Sequence, residues 1–368
     1  MSQLCRLFGF SRKSGYKWKA RFELEGPCGL RERSRRPDGS PRRTSLEWLR
    51  RIRRLRRRHR SWGSRKLAAR LRKEYPRQKA PCARTIGKWL KRLKLNRRGR
   101  RRSWRGPHLR RQALTVATRS NQVWTVDFKG WFRTQDGQRV EPLTVRDLFS
   151  RYLLSVRLLK NQSWKPVRRV FLRLFRQQGY PQIIRMDNGS PFGTTGPAGL
   201  SRLSAWWTAL GIRVEFTEPG HPEQNGAHEQ MHRILKAETT RPTSSHLRAQ
   251  QRRTDRWVKT YNRIRPHQGL GQRTPGQVYH PKPSPQRHVL LSYASGLAVR
   301  CVRSNGQIKW RGRKRFVGEA FIGYPVGIKM ASEGKCMIYF AELLIGELLE
   351  SDAGGMRPAR YRRRNQSF

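Results

Sequence analysis

Apolar positions in the middle of the chain recur with two periods. Val123–Lys129 alternates Trp124, Val126 and Phe128 with Val123, Thr125 and Asp127, the two-residue repeat of a strand. Val140–Val145 and Tyr152–Leu158 read as two further strands, so the three predict a meander. Ser163 is an N-cap with Pro166 in the following turn. After it, Val167, Val170, Phe171, Leu174 and Phe175 fall at i, i+3, i+4, i+7 and i+8, a helix that Gly179 ends. Gln182–Met186 is a short buried strand leading into Asp187. Leu200–Leu210 is a helix closed by Gly211, and Ile212–Phe216 is another strand. This alternation predicts an α/β core with a mixed sheet. A Pro- and Gly-rich loop, EPGHPEQNG, then leads into a helix from Asn225 to Arg241, stopped by Pro242.

The flanks have different textures. At the start, Leu4, Leu7 and Phe8 have helical spacing and Gly9 supplies a turn. Ser11 caps a second helix carrying Arg12, Lys13, Lys17 and Lys19, suited to a major groove. This helix-turn-helix is expected to be incomplete, because no earlier helix precedes Leu4. An ordinary amphipathic helix is the alternative. Leu46, Leu49, Ile52 and Leu55 recur at three-residue steps. Leu67, Ala68 and Leu71 resume the pattern after Ser61–Ser64, and Thr85–Leu90 opens a further helix. These read as a second helix-turn-helix-like unit, or else as a helical connector. Past Pro285 come short strands at Leu297–Val302, Ile308–Trp310, Phe316–Val317, Val326–Met330 and Met337–Phe340, with Asn305-Gly306 as a hairpin signal. A small β-barrel fits that spacing.

Charge changes the picture. The 368 residues hold 83 Lys+Arg against 23 Asp+Glu, a formal net charge of +60, which calls for a polyanionic partner. Nucleic acid is the natural one, since Lys and Arg displace condensed counterions from phosphates; an arginine bias of GC-rich coding is the alternative source. The excess is uneven: residues 1–112 contain 40 Lys/Arg and 6 Asp/Glu, residues 121–280 contain 26 and 11. No run of 18 apolar residues exists and the N-terminus lacks a secretory pattern, so no membrane span is expected. Cys5, Cys28, Cys82, Cys301 and Cys336 are far apart without a C-x-x-C. This argues against a disulfide framework or a zinc ribbon and for a reducing cytoplasm.

With so few acids, their positions are informative. Asp127 lies mid-strand, Asp187 ends a buried strand, and Glu229 lies in the first turns of the helix after the Pro/Gly loop. Three converging carboxylates repel one another unless cations relieve them, and Mg²⁺ prefers such oxygens. A metal pair can activate an attacking oxygen and stabilise a leaving one in phosphoryl transfer. Taken singly, each acid has a plain structural reading: a turn for Asp187-Asn188-Gly189, a dipole contact for Glu229, an arginine partner for Asp127. On the Glu229 helix, Asn225, Glu229, His232, Arg233 and Lys236 are spaced for a single face able to hold a metal and DNA phosphates.

WTVDFKGWF, LTVRDLFSRYLL, IIRMDNGSPF, EPGHPEQNGAHEQMHRILKAETTRP and YNRIRPHQGLGQRTP occur in that order. In these blocks the chain resembles the integrase catalytic core of bacterial insertion-sequence transposases, the DDE transposases related to retroviral integrases. The resemblance implies a multi-domain protein. Its expected parts are an all-α helix-turn-helix N-terminal region, an α/β ribonuclease-H-like catalytic core and a small all-β SH3-like barrel. The expected domains are 1–40 (partial helix-turn-helix), 41–96 (second helix-turn-helix-like unit), 97–119 (basic linker), 120–282 (integrase core), 286–350 (barrel) and 351–368 (basic tail).

The resemblance carries the catalytic and metal-binding acids to Asp127, Asp187 and Glu229, and DNA contacts to Asn225, His232, Arg233 and Lys236. Arg12, Lys13 and Lys17 would read DNA from the front helix. Glu218 and Glu223 compete for the third acid, but neither is followed by a basic helical face. Between Asp187 and Glu229 lie 41 residues, more than the family pattern has, and FGTTGPAGLSRLSAWW is expected to be the extra surface loop. The implied cofactor is Mg²⁺, with Mn²⁺ as substitute and two ions per site. The implied partners are double-stranded DNA, both the element's inverted repeats and the target, and further copies of the chain on that DNA. The implied location is the cytoplasm, on the nucleoid. Metal-activated water would free a 3′-OH at the element ends, and that 3′-OH would attack target DNA. An inactive or regulatory remnant and a structure-selective nuclease are the alternatives.

Overall fold

A computed structural model of the chain describes residues 1–34, 44–96, 114–218, 224, 226–281, 291–352 and 354–359. Asn225, most of the basic linker and the end of the basic tail lie outside the described residues. The chain divides into two compact units, Met1–Arg51 and Ile52–Phe368.

In the first unit, α1 (Ser2–Leu7) and α2 (Arg12–Glu25) are joined through Gly9, whose φ of +66° suits a glycine. The Ser11 hydroxyl accepts from the Ser14 N–H at 3.1 Å and so caps α2. Among its described residues the unit has little core. α2 buries no residue, and Leu7 and Phe8 are 76% and 64% exposed.

α3 (Leu46–Arg58) is followed by α4 (Ser64–Glu74) and α5 (Ala83–Arg92). Ile52, Trp62, Leu67, Leu71, Ile86 and Leu90 form their buried centre. Arg56 is buried among them, and its guanidinium donates to the carbonyls of Trp62 and Leu95.

The next layer is a sheet of β1 (Val123–Phe128), β2 (Phe132–Arg133), β3 (Arg139–Asp147), β4 (Leu153–Leu159), β5 (Ile183–Met186) and β6 (Arg213–Phe216). The main order is β4-β3-β1-β5-β6, with β2 hydrogen-bonded to β3. β1, β3 and β4 are antiparallel, whereas β5 and β6 run parallel to β1. This is the ribonuclease-H-like arrangement the resemblance implied. α6 (Trp164–Gln178) and α7 (Arg202–Ala209) pack into the aromatic core, and α8 (Gly226–Thr239) and α9 (Leu247–Arg263) pack against β4 in a second cluster.

Two features depart from the sequence expectation. The stretch expected as an extra surface loop is largely core: Phe192, Leu200, Leu203, Trp206 and Trp207 are all buried. Large apolar side chains at helical spacing outweigh the Gly- and Thr-rich start of that stretch. α9 carried no apolar signal because its buried face is mostly polar, with Gln250, Thr254 and Asn262 beside Trp257 and Tyr261. Asn262 grips β4 through both the N–H and the C=O of Leu153, each at 2.9 Å.

The C-terminal region is all-β, with β7 (Ala298–Cys301), β8 (Gln307–Trp310), β9 (Arg313–Phe316), β10 (Pro325–Ser332), β11 (Lys335–Phe340), β12 (Leu343–Leu349) and β13 (Arg357–Pro358). Five strands form one sheet in the order β7-β10-β11-β12-β13, and β8 and β9 form a hairpin. Asn305-Gly306 makes a turn, but β7 pairs with β10 and not with β8. The hairpin instead turns at Arg311-Gly312, both with positive φ. β12 was hidden because LLIGELL does not alternate. Ile308, Val317, Phe321 and Phe340 share one apolar cluster with Leu200, Ala205 and Ala209 of the central layer. No helix among the described residues is long and apolar enough to cross a membrane.

Candidate active site

Asp127 and Asp187 reach the same sheet edge through strand register. Thr125 on β1 faces Arg185 on the parallel β5, and each aspartate lies two residues further on. An interval of two residues restores the same face. Both carboxylates are therefore delivered by adjacent strand ends.

Both carboxyls are raised above the usual carboxylate range. Burial pushes the Asp127 carboxyl up to about 7, and the nearby Asp187 and Glu229 charges add to the rise against the Phe128 N–H and Lys129. Asp187, though exposed, is also raised, by partial desolvation from its neighbours, against the Gly189 N–H. Asp147 is a useful contrast. It is fully buried, but the Ser150 and Asn121 N–H groups and the Ser150 hydroxyl all donate to it. Asp147 is held within the fold by these three donors.

Glu229 lies in the first turn of α8, exposed, within electrostatic range of Asp127. Among the described residues, no three His, Cys, Asp or Glu side chains stand close enough to share one ion. The donors nonetheless fit a hard divalent cation in kind. They are carboxylate oxygens whose mutual repulsion a cation would relieve.

α8 separates the residues read as one face. Glu229, Arg233 and Lys236 are exposed, while His228, Met231, His232 and Leu235 are buried. His232, expected to face DNA, is only 5% exposed and its Nδ1 lies 3.7 Å from Asp127 Oδ2. The reason is helical geometry: His232 follows His228 by four residues, and that row packs on the sheet. Both rings hydrogen-bond Thr144 on β3, at 2.7 Å and 2.8 Å through Nε2. Burial depresses both imidazoles, His232 to about 3, so both are neutral. Thr144 and His228 had been missed. The His-x-x-x-His spacing beside Glu229 was the available signal.

The other end of α8 is tied to the α3–α5 layer. Glu238 accepts from the Trp257 indole N–H at 2.7 Å, from Arg265 at 3.2 Å and from the Ser61 hydroxyl. Arg12, Lys13 and Lys17 are exposed on α2 in the first unit.

Comparisons with known proteins cover most of these layers. The family described as Integrase core domain matches residues 117–222 and, through a second description of the same name, 210–275. A Homeodomain-like domain matches 14–90, and the IS481 family transposase C-terminal domain matches 297–348. The chain is 30% identical over 220 residues to the insertion element IS476 39.2 kDa protein of Xanthomonas euvesicatoria, covering 60% of each chain. It is 29% identical over 182 residues to the insertion element IS407 31.7 kDa protein of Burkholderia multivorans, covering 48% of this chain and 62% of that one. The chain thus spans about six-tenths of the length of these relatives. Among solved structures, the magnesium complex of the HTLV-2 integrase catalytic core matches at 18% identity and a TM-score of 0.36, over 45% of this chain and all of that one. A simian T-cell lymphotropic virus intasome with the PP2A regulatory subunit B56 gamma matches at 15% and 0.40, over 75% of this chain and 97% of that one. The chain thus carries integrase core domains, a homeodomain-like front and a C-terminal region similar to that of IS481 family transposases, and it is similar to proteins of insertion elements.

Proposed function

We propose that this chain binds the terminal inverted repeats of its own element as a multimer, cuts the element ends and joins the freed 3′-OH to target DNA. The observation that carries the reading is the pair of aspartates brought to adjacent strand ends beside a helix that bears Glu229 and two exposed cations. Asp127, Asp187 and Glu229 would hold Mg²⁺, or Mn²⁺ in its place, as two ions. When bound, these ions would offset charge on the reacting phosphate and promote both oxygen attack and oxygen departure. Arg233 and Lys236 bind phosphates on the open side of α8 and orient the strand. Asn225 would contribute a further DNA contact. Arg12, Lys13 and Lys17 on α2 contact operator-like DNA in the repeats. Residues 120–282 form the catalytic domain, 1–40 and 41–96 the recognition units, and 286–350 an SH3-like barrel, with basic segments at 97–119 and 351–368. The working location is the cytoplasm, on the nucleoid.

The test uses the full chain with a precut 3′-OH donor and a plasmid target in Mg²⁺. Asp127→Asn and Glu229→Gln should each abolish joined product while donor binding stays within about threefold, a change under 1 kcal/mol. Wild-type levels of joining by either variant would reject the site, and cleavage without any joined product in the unmutated chain would favour a nuclease.

A further inference from the structure

Thr144 faces Asp127 across the antiparallel β1–β3 pair. Its hydroxyl makes three contacts: with the Asp127 carbonyl at 2.9 Å, with His228 Nε2 at 2.7 Å and with His232 Nε2 at 2.8 Å. A hydroxyl has one proton and two lone pairs. The carbonyl can only accept, so all three contacts are hydrogen bonds in one arrangement alone. Thr144 donates to Asp127 O, and both imidazoles donate to Thr144 from Nε2–H. Any other arrangement sets two lone pairs against each other at under 3 Å in a fully buried place.

The remaining nitrogens agree with this. His228 Nδ1 is buried with no hydrogen-bond partner. In the Nε2–H form that atom is a bare lone pair, a milder defect than a buried N–H without an acceptor. His232 Nδ1 then turns a lone pair toward Asp127 Oδ2 at 3.7 Å. Two acceptor atoms so placed add negative potential at the carboxylate and favour a cation there.

We propose that Thr144 is a positioning residue: it locks His228 and His232 as Nε2–H tautomers, pins the Asp127 backbone, and aims the His232 Nδ1 lone pair at the carboxylate side of the cation site. The inference rests on the carboxylate site proposed above, but the lock itself is a property of the metal-free chain. A partner that orients a ligating group is commonly worth 10-fold or more in metal affinity.

The test uses ¹⁵N-histidine-labelled full-length chain and two readouts. Long-range ¹H–¹⁵N correlation spectra report each imidazole tautomer, with signals assigned by their loss in His228→Asn and His232→Asn. Binding of Mn²⁺ alone, without DNA, is followed by calorimetry. Both rings should be Nε2–H in the unmutated chain. Thr144→Val should release the His232 tautomer and weaken Mn²⁺ binding about 10-fold, and Thr144→Ser should restore both. An Nδ1–H signal for either ring in the unmutated chain overturns the proposal, and this needs no variant to fold. A Thr144→Val chain with unchanged tautomers also overturns it. Mn²⁺ binding that survives Asp127→Asn would instead sink the carboxylate reading and leave the tautomer result to decide the lock.

Discussion

Asp127 and Asp187, sixty positions apart, each lie two residues beyond a directly paired couple, Thr125 and Arg185, on adjacent parallel strands. Their closeness is set by strand register, so it does not depend on loop conformation. Desolvation raises both carboxyls, and a bound cation would favour their charged forms.

Divalent metal should therefore stabilise the chain. A ligand at a hundred times its Kd adds about 2.7 kcal/mol. Thermal melts with saturating Mg²⁺ should shift upward for the unmutated protein and not for Asp127→Asn. Equal shifts in both would place the metal elsewhere.

DNA affinity should fall steeply with salt. Arg233 and Lys236 are exposed on α8, and each phosphate contact adds about 0.9 to the log–log slope. Replacing both with Ala should reduce the slope magnitude by about 2, measured by fluorescence anisotropy on element-end duplexes. An unchanged slope would remove α8 from the DNA path.

Acid should destabilise the α3–α5 layer. Burial, helped by Arg58, lowers His59 to about 4 from 6.5, and its ring stacks on Trp62 at 3.9 Å. The unfolded chain binds the proton first, so stability rises with pH between about 4 and 6.5. His59 is only half-buried, so solvent screening reduces the gain to about 1–2 kcal/mol. His59→Phe keeps the stack and should flatten that limb in urea titrations at pH 4.5 and 6.5. A slope identical to the parent's would show that His59 does not contribute to it.

Glu238 should matter more than its partial exposure suggests. Arg265 is 3% exposed, and Glu238→Ala would leave its charge and the Trp257 N–H without this acceptor. The expected loss is about 3 kcal/mol by denaturant unfolding, against under 1 kcal/mol for a surface ion pair. A loss below 1 kcal/mol would mean the contact is solvated.

Trp207 tests the segment expected to be a surface loop. It is fully buried and its ring packs 4.7 Å from Phe171. Trp207→Ala should cost about 3–5 kcal/mol. A loop residue would cost a few tenths.

Much of this was legible in one dimension. Strict alternation in Val123–Phe128, the helical face of Val167–Phe175 and the Ser11 cap each encode a local structure that short-range sterics and burial enforce. The scarcity of acids singled out Asp127, Asp187 and Glu229. What periodicity could not supply was any element whose buried face is polar or whose apolar residues do not alternate, as in α9 and β12. Nor could it tell the two sides of α8 apart. Glu229, Arg233 and Lys236 stay in solvent while His232, one position from Arg233, goes under, because only the packed sheet decides which row of a helix is covered. Thr144 fell within an expected strand, but its role exists only where β1, β3 and α8 meet.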